Sequence, residues 1–320
     1  MPTPPTPVPL RVARIDAIAE GVFRYDLRAP DGGELPPFTP GAHVTVWLPN
    51  GATRCYSLSN DPAERHRYEI AVKRETAGRG GSVSLLDSVR EGDALNVSSP
   101  DNWFALAPNA KEFLFVAGGI GITPIMSMMR HLNATRIAPY RLYYLTRAPA
   151  QTPFRTELQA PAFADRVVLH HDDGDPDRAF DLWPLFESPT ATHVYCCGPQ
   201  VLMDAVRDMT GHWPSSAIHF ESFANALATP RPDDAPFVVR LARSGALIDV
   251  NAGVSILEAL RAQGYRVPSS CESGTCGTCR TRLLAGDPDH RDLVLTDAER
   301  VDHIMVCVSR ARSPELVLDL

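Results

Sequence analysis

Residues 271–279 read "CESGTCGTC" and hold three of the chain's seven cysteines. A fourth, Cys307, follows in "HIMVCVSRA", so the pattern is C-x4-C-x2-C, a gap of 27 residues, then C. Four thiolates so spaced suit a 2Fe–2S centre. Gly274 and Gly277 punctuate the loop, and glycine lets a chain turn tightly and aim N–H groups at sulfur. The competing reading is a zinc site or buried free thiols. Structural zinc sites join two paired C-x2-4-C units, whereas here the last thiol stands alone. Cys271, Cys276, Cys279 and Cys307 are therefore the expected metal ligands.

Working outward, 320 residues exceed one typical core and imply two or three domains. Composition is that of a globular protein, 44% hydrophobic and 22% charged, and the net charge of −7 argues against a nucleic-acid partner. The opening "MPTPPTPVPL" has no apolar leader core, and no stretch has the run of about 18 apolar residues of a membrane span. An odd cysteine count with one tight cluster favours a metal centre in the cytoplasm over a disulfide scaffold.

Three blocks follow one another. After a frayed tail over 1–9, the block ending at 108 carries short alternating runs ("RVARIDAIAEGVFRYDLRAP", "AHVTVWLP", "RCYSLS", "YEIAVKRE", "ALNVSS"), the pattern of a small antiparallel β-barrel. Over 109–228 the apolar strands "EFLFVAG", "YRLYYLT", "RVVLHHD" and "THVYCCG" alternate with helix-length segments, which predicts a parallel α/β sheet. Polar, proline-rich residues 229–236 read as a linker. From 237 to 320 a hairpin ("FVVRLARSG", "ALIDVNAG"), a helix ("SILEALRAQG") and the cysteine loop make an α+β unit.

"FLFVAGGIGITPIMSMM" sets Gly118, Gly119 and Gly121 at a strand-to-helix turn, where small residues admit a pyrophosphate to the helix N-terminus. Thr123 is the expected helix cap and Pro124 suits the first turn. "YCCGPQ" ends another strand, with Gly198 and Pro199 opening a helix, and ligands of open α/β sheets bind at such strand ends. Cys196 reads as a small buried hydrophobe, Cys197 as more open. In the first block, "RCYSLSN" puts Arg54, Tyr56 and Ser57 on one strand: a guanidinium for phosphate, an aromatic for stacking, a hydroxyl for a ring nitrogen. Gly80, Gly81 and the expected cap Ser82 open a short helix, a second anion-ready terminus. "HHDDGDPD" at 170–177 reads as a strand end entering a solvated acidic turn; the rival reading is a metal cluster.

"CESGTCGTC" with Cys307 resembles a plant-type ferredoxin domain, which has the β-grasp fold. "GGIGITP" followed by "CGP" resembles the pyridine-nucleotide domain of the ferredoxin–NADP reductase superfamily, and "RCYS" with the later glycine turn resembles its flavin barrel. The order barrel, nucleotide domain, C-terminal ferredoxin looks like the phthalate dioxygenase reductase family. That resemblance implies FMN rather than FAD, NADH rather than NADPH, and a 2Fe–2S cluster. It sets Gly118, Gly119, Gly121 and Thr123 against the dinucleotide, Cys197, Gly198 and Pro199 near the nicotinamide, and Thr146 and Arg147 near the adenosine ribose. No acidic residue follows "YRLYYLT" to grip a 2′-hydroxyl, and Arg147 suits a 2′-phosphate instead. Arg54 and Ser82 would meet the flavin phosphate and Gly80 and Gly81 its turn. Tyr56, beside Cys55, would pack on the ring, with Ser57 near its N5. Val72 and Lys73 would line the ring. "FESF" at 220–223 matches the segment closing over the flavin, giving Phe223 as a stacking residue and Glu221 as a polar neighbour; the plain alternative for Phe223 is a core aromatic. Ser57, Cys197 and Phe223 are the expected catalytic residues.

The implied path runs from NADH through FMN to the cluster and on to a Rieske-type oxygenase, an aromatic-ring dioxygenase or O-demethylase, with this chain a monomer. A reductase serving another monooxygenase or a cytochrome would use the same chemistry. An iron–sulfur redox-sensing module is the non-enzyme rival, and it leaves "GGIGITP" and "CGP" unexplained. From Phe237 onward 11 acidic residues face 10 basic ones, too balanced to predict a docking surface.

Overall fold

Strands β1 (Val8–Ala19) and β2 (Val22–Arg28) form an antiparallel pair. With β3 (His43–Trp47), β4 (Thr53–Ser57), β5 (Tyr68–Lys73) and β6 (Ala94–Val97) they make a sheet in the order β4-β3-β6-β1-β2-β5. A bridge from Leu58 to Ile70 joins its two edges into a barrel. The alternation read from the sequence is real: Leu10, Val12, Leu27, Val44, Val46, Ile70 and Val97 fill the interior. Val8 and Pro9, expected in the tail, instead pair with Val97 and Asn96. Pro9 is tolerated because β2 joins β1 only from Arg11 onward, so no partner strand needs its missing N–H. Helix α1 (Gly81–Ser88) leads back toward β6.

This computed structural model describes residues 7–76, 80–223, 231, 233–269, 272–275 and 277–320. It forms two units, divided between Ser222 and Phe223. In the first unit the barrel is followed by five parallel strands: β7 (Phe113–Gly118), β8 (Tyr140–Thr146), β9 (Val167–His171), β10 (His193–Cys197) and β11 (Ile218–Glu221). Their order is β11-β10-β7-β8-β9. Helix α2 (Ile122–Thr135) packs Ile122, Ile125 and Met129 on one side with Phe113 and Phe115. The short α3 (Arg155–Leu158) adds Leu158 to the same cluster. Helices α4 (Trp183–Phe186) and α5 (Gln200–Met209) bring Phe186, Met203 and Val206 together with Val116, Val194 and Cys196. Covered on both faces, these strands are apolar runs instead of alternating ones. β11, within "IHFESF", escaped the sequence reading because four residues leave no periodicity to detect.

The barrel and the parallel sheet are joined through a buried charge. Arg130 of α2 donates from Nη1 to Glu69 Oε1 of β5 at 2.7 Å and from Nη2 to Glu157 of α3 at 2.8 Å, while also reaching the Ser59 carbonyl at 2.6 Å. The Glu69 side chain is 1% exposed and Arg67 also pairs with it, at 3.1 Å. Burial alone would raise its pKa, but Arg130, Arg67 and Ser59 overcome that and hold it below the usual glutamate range.

The second unit pairs β12 (Phe237–Leu241) with β13 (Leu247–Val250) as the expected hairpin. The mixed sheet runs β13-β12-β18-β14-β16, with β14 at Arg280–Ala285, β16 at His303–Met305 and β18 at Glu315–Leu318. A two-stranded ribbon joins β15 (Pro288–Asp289) and β17 (Arg310–Ala311). Helix α6 (Ile256–Ala262) starts with a reciprocal cap between Ser255 and Glu258 and buries Ile256, Leu257 and Leu260 against the sheet. Asp234, expected in the linker, is instead buried between Arg291 and Arg310. Its hydrogen bond to Arg291 brings its pKa down to about 2.

Replacing Arg130 by Met leaves Glu69 buried with its main counter-charge gone. The expected loss is about 3 kcal/mol in urea unfolding, with a smaller loss when Glu69→Gln is already present; equal losses in both backgrounds would show that the pair is uncoupled. Glu69, its pKa lowered on folding, stabilises above the ordinary glutamate pKa, and that stability is lost as pH falls through the lowered value.

Candidate active site

Two glycine turns meet at the carboxyl ends of β7 and β10. A Cβ on Gly121 would lie 2.2 Å from the Cys197 carbonyl oxygen and 2.7 Å from the Gly198 nitrogen. One on Gly118 would lie 2.5 Å from Pro199 Cδ, and one on Gly198 would lie 2.9 Å from Gly118 Cα. Gly121 and Gly198 are therefore required by backbone-on-backbone packing between the turns, and Gly118 by the Pro199 ring packed against it. Gly119 differs: its φ is +52° and open space surrounds it, so it is the glycine free to present backbone to a ligand. The fully buried Tyr144 of β8 donates its hydroxyl to the Gly119 carbonyl at 2.8 Å and fixes the turn from below. The sequence reading missed Tyr144; a tyrosine inside an apolar strand was its only signal.

Thr123 is not a cap. Helix α2 begins at Ile122 with Gly121 at the cap position, and Thr123 lies buried in the first turn, donating to the Ile120 carbonyl at 3.2 Å. Pro124 occupies the first turn as expected. The same revision applies to Ser82. Gly80, with φ +75°, caps α1, and the Ser82 hydroxyl accepts from the Glu75 N–H at 2.9 Å. Neither helix has a side-chain cap; this leaves the start of α1 open to an anion, whereas at α2 the Ile122 N–H is already bonded to the Gly119 carbonyl and Pro124 has no N–H to offer.

At the start of α1, Arg54 runs against the backbone: a Cβ on Gly81 would lie 2.9 Å from Arg54 Nε and 3.0 Å from Leu48 Cδ1. A guanidinium beside an uncapped helix start is a donor set that fits a flavin phosphate. Tyr56 is half-buried, and Cys55 beside it meets the Thr45 hydroxyl at 3.6 Å. Val72 departs from expectation: its side chain is fully buried in the barrel core, so only its main chain is left to meet a ring. Lys73 is exposed and lies 3.8 Å from Glu75.

Ser57 and Glu221 are 164 residues apart in sequence, yet Ser57 Oγ donates to Glu221 Oε2 at 3.3 Å. This contact brings the barrel strand β4 to the end of β11. Burial pushes the Glu221 carboxyl up to about 8, leaving it largely protonated at neutral pH. Cys197, expected to be more open than Cys196, is as fully buried. Burial, with Glu221 and Cys196 adding to it, holds its thiol well above the usual range, so it is a neutral packing group and not a nucleophile. Phe223 is 40% exposed, which removes the core-aromatic alternative.

Thr146 is buried at the end of β8, while Arg147 is exposed. The acidic turn after β9 lies directly beside them: the Asp173 N–H donates to the Arg147 carbonyl at 2.8 Å. Asp172 and Asp175 close local turns through the Gly174 and Asp177 N–H groups, and Asp173 pairs with Arg178. The carboxylates missing after β8 thus come from the neighbouring strand, a proximity no single-strand reading reveals.

In the second unit Cys279 and Cys307 are both buried in one hydrophobic cluster, while Cys271 and Cys276 lie outside the described residues. Glu272, Gly274 and Gly277 have φ of 51°, 72° and 80°, the left-handed turns of a tightly wound loop. Two buried thiols beside such a loop fit a thiolate-held cluster.

A barrel, a parallel sheet with interlocked glycine turns and a cysteine-bearing mixed sheet together define a modular electron-transfer reductase. Residues 239–312 match the 2Fe-2S iron-sulfur cluster binding domain. The chain is 57% identical to the phthalate 4,5-dioxygenase oxygenase reductase subunit of Pseudomonas putida, over 97% of this chain and 96% of that one. It is 56% identical to the phthalate dioxygenase reductase of Burkholderia cepacia, covering 97% of each. A solved phthalate dioxygenase reductase, described as a modular structure for electron transfer from pyridine nucleotides to [2Fe-2S], superposes with TM-score 0.87 at 54% identity over 98% of both chains. The chain belongs to the phthalate dioxygenase reductase family. Among the described residues no helix is long and apolar enough to cross a membrane.

Two outcomes follow from this geometry. Arg54→Ala is expected to release flavin, lowering retention in gel filtration at least ten-fold; a fully flavinated variant would refute the phosphate role. For Glu221, whose pKa is raised on folding, stability is fully present below about 4.5 and lost as pH rises through about 8. Glu221→Gln should therefore lose less thermal stability than the parent between pH 6 and 9, measured as Tm against pH.

Proposed function

We infer that this chain is an oxidoreductase that takes electrons from NADH through FMN to a 2Fe–2S cluster and delivers them to an oxygenase of Rieske type. The observation that carries the reading is the meeting of Ser57 with Glu221 beside the interlocked turns at Gly121 and Cys197. It brings a barrel strand suited to a flavin to the strand ends suited to a nicotinamide. The names of the relatives, reductases of phthalate dioxygenase systems, support an oxygenase as the acceptor. The working division is 1–108 for flavin, 109–228 for nucleotide, 229–236 for the connection and 237–320 for the cluster. A monomer in the cytoplasm is the accompanying reading.

When bound, FMN supplies a hydride acceptor that releases electrons singly, and the cluster supplies a one-electron exit. The chain's own residues do the positioning. Arg54 and the α1 N–H groups hold the phosphate, and Tyr56 flanks the ring. Ser57 holds its proton toward Glu221, whose neutral carboxyl keeps negative charge away from the reacting face. The bulk of Cys197 limits how deeply a nicotinamide can sink, and Phe223 offers an aromatic face. The acidic turn at Asp172 and Asp173 favours the dinucleotide without a 2′-phosphate. Plant-type clusters lie near about −400 mV and Rieske centres at roughly −150 to +300 mV, so transfer to a Rieske partner runs downhill.

Cys276→Ser separates the steps. Cytochrome c reduction is expected to vanish while flavin bleaching by NADH in stopped flow stays near the parent rate. Loss of both would make the cluster structural and overturn its role as the exit.

A further inference from the structure

We propose that His171 selects the pyridine nucleotide by accepting a hydrogen bond from the 2′-hydroxyl of the adenosine ribose; this rests on the nucleotide reading of the parallel sheet. In doubly wound sheets the group that meets this hydroxyl stands at the end of the strand beside the glycine-turn strand. Here that strand is β8, which ends in Thr146 and Arg147 with no carboxylate. The next strand, β9, ends level with it, and Thr146 is paired in register with His171.

A chain of three hydrogen bonds fixes which nitrogen of His171 carries hydrogen. The Thr152 hydroxyl donates to the Ala148 carbonyl at 2.8 Å. A hydroxyl has one hydrogen, so the 2.7 Å contact between Thr146 and Thr152 must be donated by Thr146. Thr146 then has none left for His171 Nδ1, 2.8 Å away, and that contact must be donated by the imidazole. His171 is thereby held with hydrogen on Nδ1 and a bare lone pair on Nε2, which has no hydrogen-bond partner among the described residues. Thr146 and Thr152 are buried, so water does not compete for this relay, whereas His171 is partly exposed.

A bare Nε2 accepts from a ribose hydroxyl. It has nothing to offer a 2′-phosphate, which is rich in acceptors and is repelled by the adjacent Asp172, Asp173 being paired with Arg178. Arg147, exposed along the same turn, acts in the opposite sense, while Arg178 is taken up by Asp173.

The test compares NADH with 2′-deoxy-NADH on the flavin-loaded chain, by flavin bleaching and by equilibrium titration of the matching oxidised nucleotides. The parent should prefer the ribose form by about five- to ten-fold, as expected for one neutral hydrogen bond, and His171→Ala should bind both forms alike. Thr152→Val frees the Thr146 hydroxyl to donate to Nδ1. It should move the hydrogen to Nε2 and abolish the preference with His171 still in place. Nitrogen-15 NMR of the imidazole reads that tautomer without any nucleotide. A His171→Ala chain that keeps the parent preference, or a parent with hydrogen on Nε2, overturns the proposal. A parent that binds neither nucleotide overturns the nucleotide reading itself, and this proposal with it.

Discussion

Everything at the active site depends on one buried ion pair, Arg130 with Glu69. Two charges taken out of water are sustained only where both are fully partnered, and here Arg67, Ser59 and Glu157 complete the set. Helix α2 begins at the glycine turn, so a guanidinium anchored in its middle ties that turn to a barrel strand. Hydride transfer is steeply sensitive to the placement of its partners. A buried charge contact between the barrel and the parallel sheet resists sliding far better than an apolar face would, because any displacement strands a charge.

Much of this was legible in the sequence because it is local. The "CESGTCGTC" spacing, the alternation in "RCYSLS", the apolar runs of the parallel strands and the paired "GGIGITP" and "CGP" turns each declare themselves within a few residues. What stayed hidden is whatever two distant segments make together. The Ser57–Glu221 bond, the Arg130–Glu69 pair and the acidic turn flanking Arg147 all join residues that no window contains. Both helix caps were misassigned for a related reason: glycine already supplied the backbone geometry, which freed Thr123 and Ser82 for other bonds. At Val72 the burial of the side chain was hidden, because a strand of a closed barrel turns side chains inward and leaves the main chain to face outward.

The chain also uses one residue type in two opposite ways. At Cys196 and Cys197 burial suppresses ionisation, the former reaching about 12, and sulfur serves as a dense, small hydrophobe. In the second unit, Cys279 and Cys307 are buried too, but the loop that leads to Cys279 turns through left-handed backbone at Glu272, Gly274 and Gly277. Conformation of the neighbouring chain, not the thiol itself, separates packing from ligation.

The interlocked glycines bear on how such a protein can be remodelled. With Gly118, Gly121 and Gly198 in direct backbone apposition, the two turns behave as a single inherited unit in which no member can change alone. A mutational library aimed at them would spend most of its diversity on misfolded chains. Tolerance for change lies instead at the exits of β8 and β9, where exposed side chains such as Arg147 replace packed backbone, and altered cofactor use would be sought there.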